Sequence, residues 1–214
     1  MFDKMSAFIT DTLIEGEVIK NEERNLYLYC FGTLIEMTAN FITTLIIGVL
    51  LGEFTSTLLF MLVFIPLRST AGGYHCETAG KCYLLSLTVY CAVIFTYDFV
   101  SVTPLCICVL ICVIDFAVIV VLSPIASLSK PFTVKEKKSN YRISIVITLI
   151  WITMIFVMLN GKNIYAAVIL ESLTAAAVSM IAGYIKYNKA PKTTIQPSKT
   201  TIQTKNDIND CDML

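Results

Sequence analysis

Residues 104–122 read PLCICVLICVIDFAVIVVL, from Pro104 to Leu122, and hold a single acidic or basic side chain, Asp115. A bilayer core about 30 Å thick is crossed by roughly 20 apolar residues coiled as a helix, and this stretch has that length. Lipid offers no hydrogen bonds to a backbone, so apolar segments of this size are predicted as α-helices. Working outward, five further runs of the same kind occupy residues 28–51, 54–71, 82–100, 143–159 and 164–185. Tight turns separate them at Gly52-Glu53, at Ser101-Val102-Thr103 and from Asn160 to Asn163. The predicted fold is all-α: a polytopic membrane domain over 27–185 with six transmembrane helices. Before it, residues 1–26 read as an amphipathic interfacial helix, because Phe2, Met5, Ile9 and Leu13 recur at spacings of three or four. No apolar run follows a basic start there, so it does not read as a cleavable signal peptide. From Lys186 to Leu214 the chain is rich in Thr, Lys, Asn, Asp and Gln, and reads as a polar, disordered tail.

Composition agrees with lipid as the main solvent. Of the 214 residues 56% are hydrophobic and 15% are charged, with a mean hydropathy of +0.75. A soluble domain carries about 25% charged residues. The formal net charge is zero, which argues against a nucleic-acid partner. That zero hides an asymmetry. Basic residues precede the first run, flank the junction of the second and third (Arg68, Lys81), fill 123–142 and follow the sixth; Lys162 alone lies on the other side. The positive-inside rule then predicts both termini in the cytoplasm. Six of the eight cysteines lie in apolar runs or at their ends. No exported, paired loops are visible, so a disulfide framework is not predicted.

The chemically informative stretch runs from Arg68 to Cys82, RSTAGGYHCETAGKC, and contains the chain's one histidine, His75. Gly72, Gly73 and Gly80 make an unbroken helix improbable. In one straight helix His75 and Cys82 would lie about 10.5 Å apart along the axis, far beyond the roughly 3 Å over which a base reaches a nucleophile. The segment is therefore predicted to fold back, with the glycines supplying the freedom. Cys82 would open the third span, where a helix N-terminus and a nearby imidazolium favour thiolate. On chemistry alone a lone His near a Cys is more often incidental. A metal site from His75, Cys76 and Cys82 lacks a clear fourth ligand. The stretch from Ser123 to Arg142, with Lys130, Lys135, Lys137 and Lys138, reads as a basic loop that faces anionic lipid or docks an acidic peptide. Glu36, Asp98, Asp115 and Glu171 lie within spans. Glu36, Asp115 and Glu171 could line a polar path, pair with one another, or serve helix packing.

Arg68-x-x-Ala71-Gly72-Gly73-x-His75, followed seven residues later by Cys82, resembles the AgrB family of bacterial quorum-sensing peptide-processing proteins. Ser123-Pro124 and Lys130-Pro131 before the Lys-rich stretch resemble that family's basic loop. The resemblance covers nearly all of the chain except the polar tail. Cys76 departs from it, standing where a small residue such as Ala is expected and placing a second thiol beside His75; the family spacing favours Cys82. The resemblance implies a multi-pass cysteine endopeptidase of the bacterial cell membrane, with its active site cytoplasmic and no cofactor or metal. Its substrate would be an AgrD-like precursor: an amphipathic leader, a cysteine-bearing core and an acidic C-terminal segment. His75 would serve as base and Cys82 as nucleophile. Arg68, with Gly72 and Gly73, would support the site by binding carboxylates or the oxyanion, unless it merely snorkels at the interface. Lys130, Lys135, Lys137 and Lys138 would steer the acidic segment. The resulting thioester, attacked by the core's own cysteine, would give a thiolactone ring. A homodimer is also suggested by related proteins. The competing class is a non-catalytic carrier exporting a small peptide or ion, resting on Glu36, Asp115 and Glu171; no inverted repeat supports it.

Overall fold

The structure is a computed structural model describing residues 2–74, 76, 78–125, 134–159 and 164–189. The described residues form α1 (Phe2–Glu15), a short 3-10 turn (Asn21–Glu23), α2 (Arg24–Leu50), α3 (Phe54–Ala71), α4 (Ala79–Ser101), α5 (Leu105–Leu122), α6 (Val134–Leu159) and α7 (Tyr165–Lys189). No strand occurs among them. Six helices, α2 to α7, are long and apolar enough to cross a membrane.

Three boundaries differ from the expectation, each for a local reason. The leading helix ends at Glu15 rather than near residue 26. Glu17 takes φ 56°, while its N–H and that of Val18 close on the carbonyls of Ile14 and Leu13, both at 3.0 Å. That is a left-handed helix stop, built here without glycine at the turning position. Residues 134–142 are the first turns of α6 rather than loop, so Lys135, Lys137 and Lys138 stand exposed on a helix. The last helix continues to Lys189, past the apolar run. In both cases hydropathy marks only the part of a helix inside hydrocarbon, while Lys and Glu propagate a helix well in water.

Packing rests on close approach, since lipid is as apolar as a leucine side chain and gives helices little hydrophobic reason to associate. The most buried span is α7, which packs against α3, α4, α5 and α6 and buries Ala166, Ala167, Ala176 and Ala177. At the crossing of α2 with α3, a Cβ on Gly48 would overlap the Thr57 side chain. Large apolar groups such as Leu110, Val113, Ile114, Val146 and Ile150 point outward, as a lipid-covered surface requires. Helix α1 lies on α2 through Ser6 and Thr10, which are buried, with Gly32 opposite Ser6. Met5 and Phe8 stay exposed, available to a lipid interface. An exposed ion pair, Arg24 to Asp11 at 2.9 Å, joins the two elements across solvent and adds little to that contact.

Candidate active site

The site begins where α3 stops. Gly72 takes φ 80° and Gly73 φ 151°, a turn that side-chain-bearing residues adopt only with strain. Space forbids side chains there as well. A Cβ on Gly72 would strike the Ile125 carbonyl, and the Ile125 N–H bonds the Ala71 carbonyl at 2.9 Å. A Cβ on Gly73 would run into the Arg68 guanidinium and the Ser179 hydroxyl. The chain then lies along α7: the Tyr74 N–H donates to the Ser179 carbonyl at 2.9 Å, and Lys186 Nζ stands 4.7 Å from the centre of the Tyr74 ring. Ser179, Gly183 and Lys186 share one face of α7 by spacing.

Gly183 makes this contact feasible. A Cβ there would sit 2.7 Å from the Gly73 carbonyl carbon and 2.9 Å from the Tyr74 nitrogen, both backbone atoms. Gly183→Ala would gain about 1 kcal/mol of helix propensity, but overpacking against rigid backbone costs about 1–3 kcal/mol. The clash wins. The variant is expected to melt at a lower temperature in detergent and to be cut faster by protease between residues 72 and 78.

Arg68 is the clamp on this segment. Its guanidinium donates through Nη1 to Ser179 Oγ at 2.5 Å and through Nη2 to the Tyr74 carbonyl. It is thus turned into the bundle, holding α3, the 72–74 turn and α7 together. Its charge also faces Glu36 and Cys82.

Cys82 sits in the first turn of α4, 8% exposed, its own N–H bonded to the Thr78 carbonyl at 3.2 Å. Gly80, expected to help the chain fold back, is an ordinary helical residue of that same turn. Two groups reach the sulfur. They are the Glu36 carboxylate of α2 and the backbone N–H of Cys76, both near the thiol. The second contact shows the connecting segment returning onto the start of α4. Fourteen residues separate Glu36 from Leu50 and Arg68 from Phe54. At 1.5 Å per residue both groups therefore lie about 21 Å from the α2–α3 turn, at a common depth.

Of the residues singled out in the sequence, Arg68, Gly72, Gly73 and Cys82 come together here. His75 and Lys130 lie outside the described residues. Lys135, Lys137 and Lys138 stand on the exposed start of α6, and Ser144 Oγ bonds Thr70 Oγ1 at 3.1 Å. Since α3 ends just past Thr70, the basic turns and the glycine motif share one end of the bundle. Glu36, Ser179 and Gly183 were not read as site residues. The spacing Ser179-x-x-x-Gly183 was a visible sign of close helix approach, but nothing in it named the partner.

The intramembrane carboxylates do not pair with one another. Thr174 Oγ1 donates to buried Asp115 at 2.7 Å, and Thr96 Oγ1 donates to Glu171 at 2.7 Å. Helix-to-helix hydrogen bonding accounts for those two, and Glu36 belongs with Cys82. The polar path on which a carrier would depend is not assembled from these three groups.

The family model described as Accessory gene regulator B, AgrB, matches residues 6–182, from α1 into the last turns of α7. Protein FsrB of Enterococcus faecalis is 41% identical over 56 residues, covering 26% of this chain and 23% of FsrB. The matched stretch is thus about a quarter of that relative's length. No solved structure matches. With a family match over most of its length and six helices able to span a bilayer, this multi-pass membrane protein belongs to the AgrB family.

Proposed function

We propose that the chain is a membrane cysteine endopeptidase that matures a quorum-sensing peptide in the bacterial cell membrane. Its substrate is an AgrD-like precursor, which it cuts at the C-terminal side of the core and closes to a thiolactone. One observation carries the reading: Cys82 opens α4 at the end of the bundle where Arg68 clamps the Gly72-Gly73 turn against α7, so the described elements of the family motif meet at one place.

In this reading the Cys82 sulfur bonds to the carbonyl carbon at the end of the core, the C–N bond breaks, and the acidic segment leaves as a neutral amine carrying the thiol's proton. His75, carried over from the family motif, acts as a base in this step. The core cysteine then attacks the thioester, so a second thioester forms as the first is broken and the Cys82 thiol is restored. That exchange is close to thermoneutral and needs no nucleotide. The first step is harder, because it converts an amide to a thioester. A tethered core thiol at high effective concentration draws it forward, and a water-poor site protects the acyl-enzyme from hydrolysis. The positive-inside distribution places the glycine motif and the basic turns of α6 on the cytoplasmic side. There Lys135, Lys137 and Lys138, with Lys130, attract the acidic segment.

A precursor whose core cysteine is replaced by alanine tests this directly, because it can acylate the enzyme but cannot cyclise. Mass spectrometry of acid-quenched protein should find Cys82 heavier by the mass of the N-terminal fragment less one water. Release of the acidic segment with no adduct, or with the adduct on Cys76, would overturn the proposal.

A further inference from the structure

We infer that Lys186, on α7, is a positioning residue of the active site, holding the segment that leads into His75 through the ring of Tyr74. This rests on reading Cys82 as the nucleophile and His75 as its base. Lys186 Nζ stands 4.7 Å from the centre of the Tyr74 ring, within the roughly 6 Å over which a cation is drawn to an aromatic face. A long charged side chain near a membrane surface ordinarily extends into water. Here the neighbours Tyr184 and Ile185 are exposed, whereas Lys186 is half-buried against the protein.

Tyr74 is fastened along two turns of α7. Its N–H donates to the Ser179 carbonyl at 2.9 Å and lies 3.3 Å from Ser179 Oγ. The Gly73–Tyr74 peptide packs on Gly183, where a Cβ would fall 2.9 Å from the Tyr74 nitrogen. The Tyr74 carbonyl, bonded in the chain to the nitrogen of His75, accepts from Arg68 Nη2. The ring then reaches Lys186, about 10.5 Å beyond Ser179 along the helix axis. The backbone contacts would serve any side chain at position 74. The ring contact alone requires an aromatic group there and a cation at 186.

The fastening matters because of what stands on either side of Tyr74. Before it come Gly72 and Gly73, which have no side chains of their own to hold the turn. After it comes the base, which must reach within roughly 3 Å of the proton it takes. A misplacement of about 1 Å can slow a reaction 100-fold. Lys186 touches no reacting atom and acts through Tyr74. Its charge has the sign that would also attract an acidic peptide, and the two roles leave different kinetic marks. A docking charge supplies binding and moves KM, whereas a positioning residue moves kcat.

The test is a double-mutant cycle in the full chain, purified in detergent, with kcat and KM measured for cleavage of an AgrD-like precursor. Lys186→Met keeps an unbranched side chain and removes the charge. Its kcat should fall about threefold or more at unchanged KM, the scale of one cation–π contact. Tyr74→Leu should lose at least as much, and the double variant should be no slower than Tyr74→Leu alone. Lys186→Arg and Tyr74→Phe keep the cation and the ring, so both should cleave near the wild-type rate. A smaller fall than about threefold in Lys186→Met would overturn the proposal. A rise in KM with kcat unchanged would also overturn it, making Lys186 a docking charge for the acidic segment. Losses that multiply in the double variant would do the same, since Lys186 would then act through another group. Equal loss in Tyr74→Phe and Tyr74→Leu would transfer the role from the ring to the hydroxyl and end the proposal. Cleavage by Cys82→Ala would instead overturn the nucleophile assignment itself. No variant at 74 or 186 can produce that result, so the two failures are distinguishable.

Discussion

Cys82→Ala is expected to abolish release of the acidic segment, lowering kcat/KM by about 10⁴-fold or more, as removal of a covalent nucleophile does elsewhere. In the proposed mechanism the Cys82 sulfur forms the acyl bond, and neither the Glu36 carboxylate nor the Cys76 N–H can take its place in making a thioester. Stability should change little. The residue is buried, but exchanging one thiol for a hydrogen removes only a small apolar volume, worth about 1 kcal/mol. Cys76→Ala supplies the control. Its backbone N–H still points at Cys82, so that variant is expected to cleave at near the wild-type rate. Peptide release followed by mass spectrometry, with circular dichroism to check folding, decides both. Activity in Cys82→Ala together with loss in Cys76→Ala would transfer the nucleophile to residue 76.

The second large effect is expected at Arg68. Arg68→Lys keeps the charge but loses the planar fork that bonds the Ser179 hydroxyl and the Tyr74 carbonyl at once. An ammonium at the end of a flexible chain can satisfy one of them or face Glu36 and Cys82. Losing a hydrogen bond from a charged group to a part-buried partner costs about 1.5–3 kcal/mol, roughly a 10- to 150-fold loss of catalysis if the turn must be held for reaction. Arg68→Lys is thus expected to cleave about 10- to 150-fold more slowly, with a lower melting temperature. Arg68→Met should lose more. Full activity in Arg68→Lys would mean that charge alone matters and that the clamp on the 72–74 turn is dispensable.

How much was legible in the chain differs from element to element. The run at 54–71 coincides with α3, because Gly52-Glu53 and Gly72-Gly73 punctuate it at both ends. The start of α6 was read as loop, because a Lys-rich helix turn in water carries no apolar signal. The glycine motif announced a break between two spans, and the break is there. Glu36 was visible as an ionisable group in an apolar run, but so were Asp115 and Glu171, whose partners are Thr174 and Thr96 on neighbouring helices. Nothing local distinguished the carboxylate at the thiol from the two that join helices.

Sequence by itself determined that this is an α-helical membrane protein with six helices able to span a bilayer, and that a glycine-rich break follows the second of them. Those properties follow from each residue's affinity for lipid or water and from the backbone limits of glycine, which are local. Only the tertiary structure decided that Glu36 meets Cys82, that Arg68 clamps Tyr74 to Ser179, and that Gly183 leaves room for Gly73. Such pairings depend on which helix faces are small enough to approach one another, a property of surfaces distant in the chain.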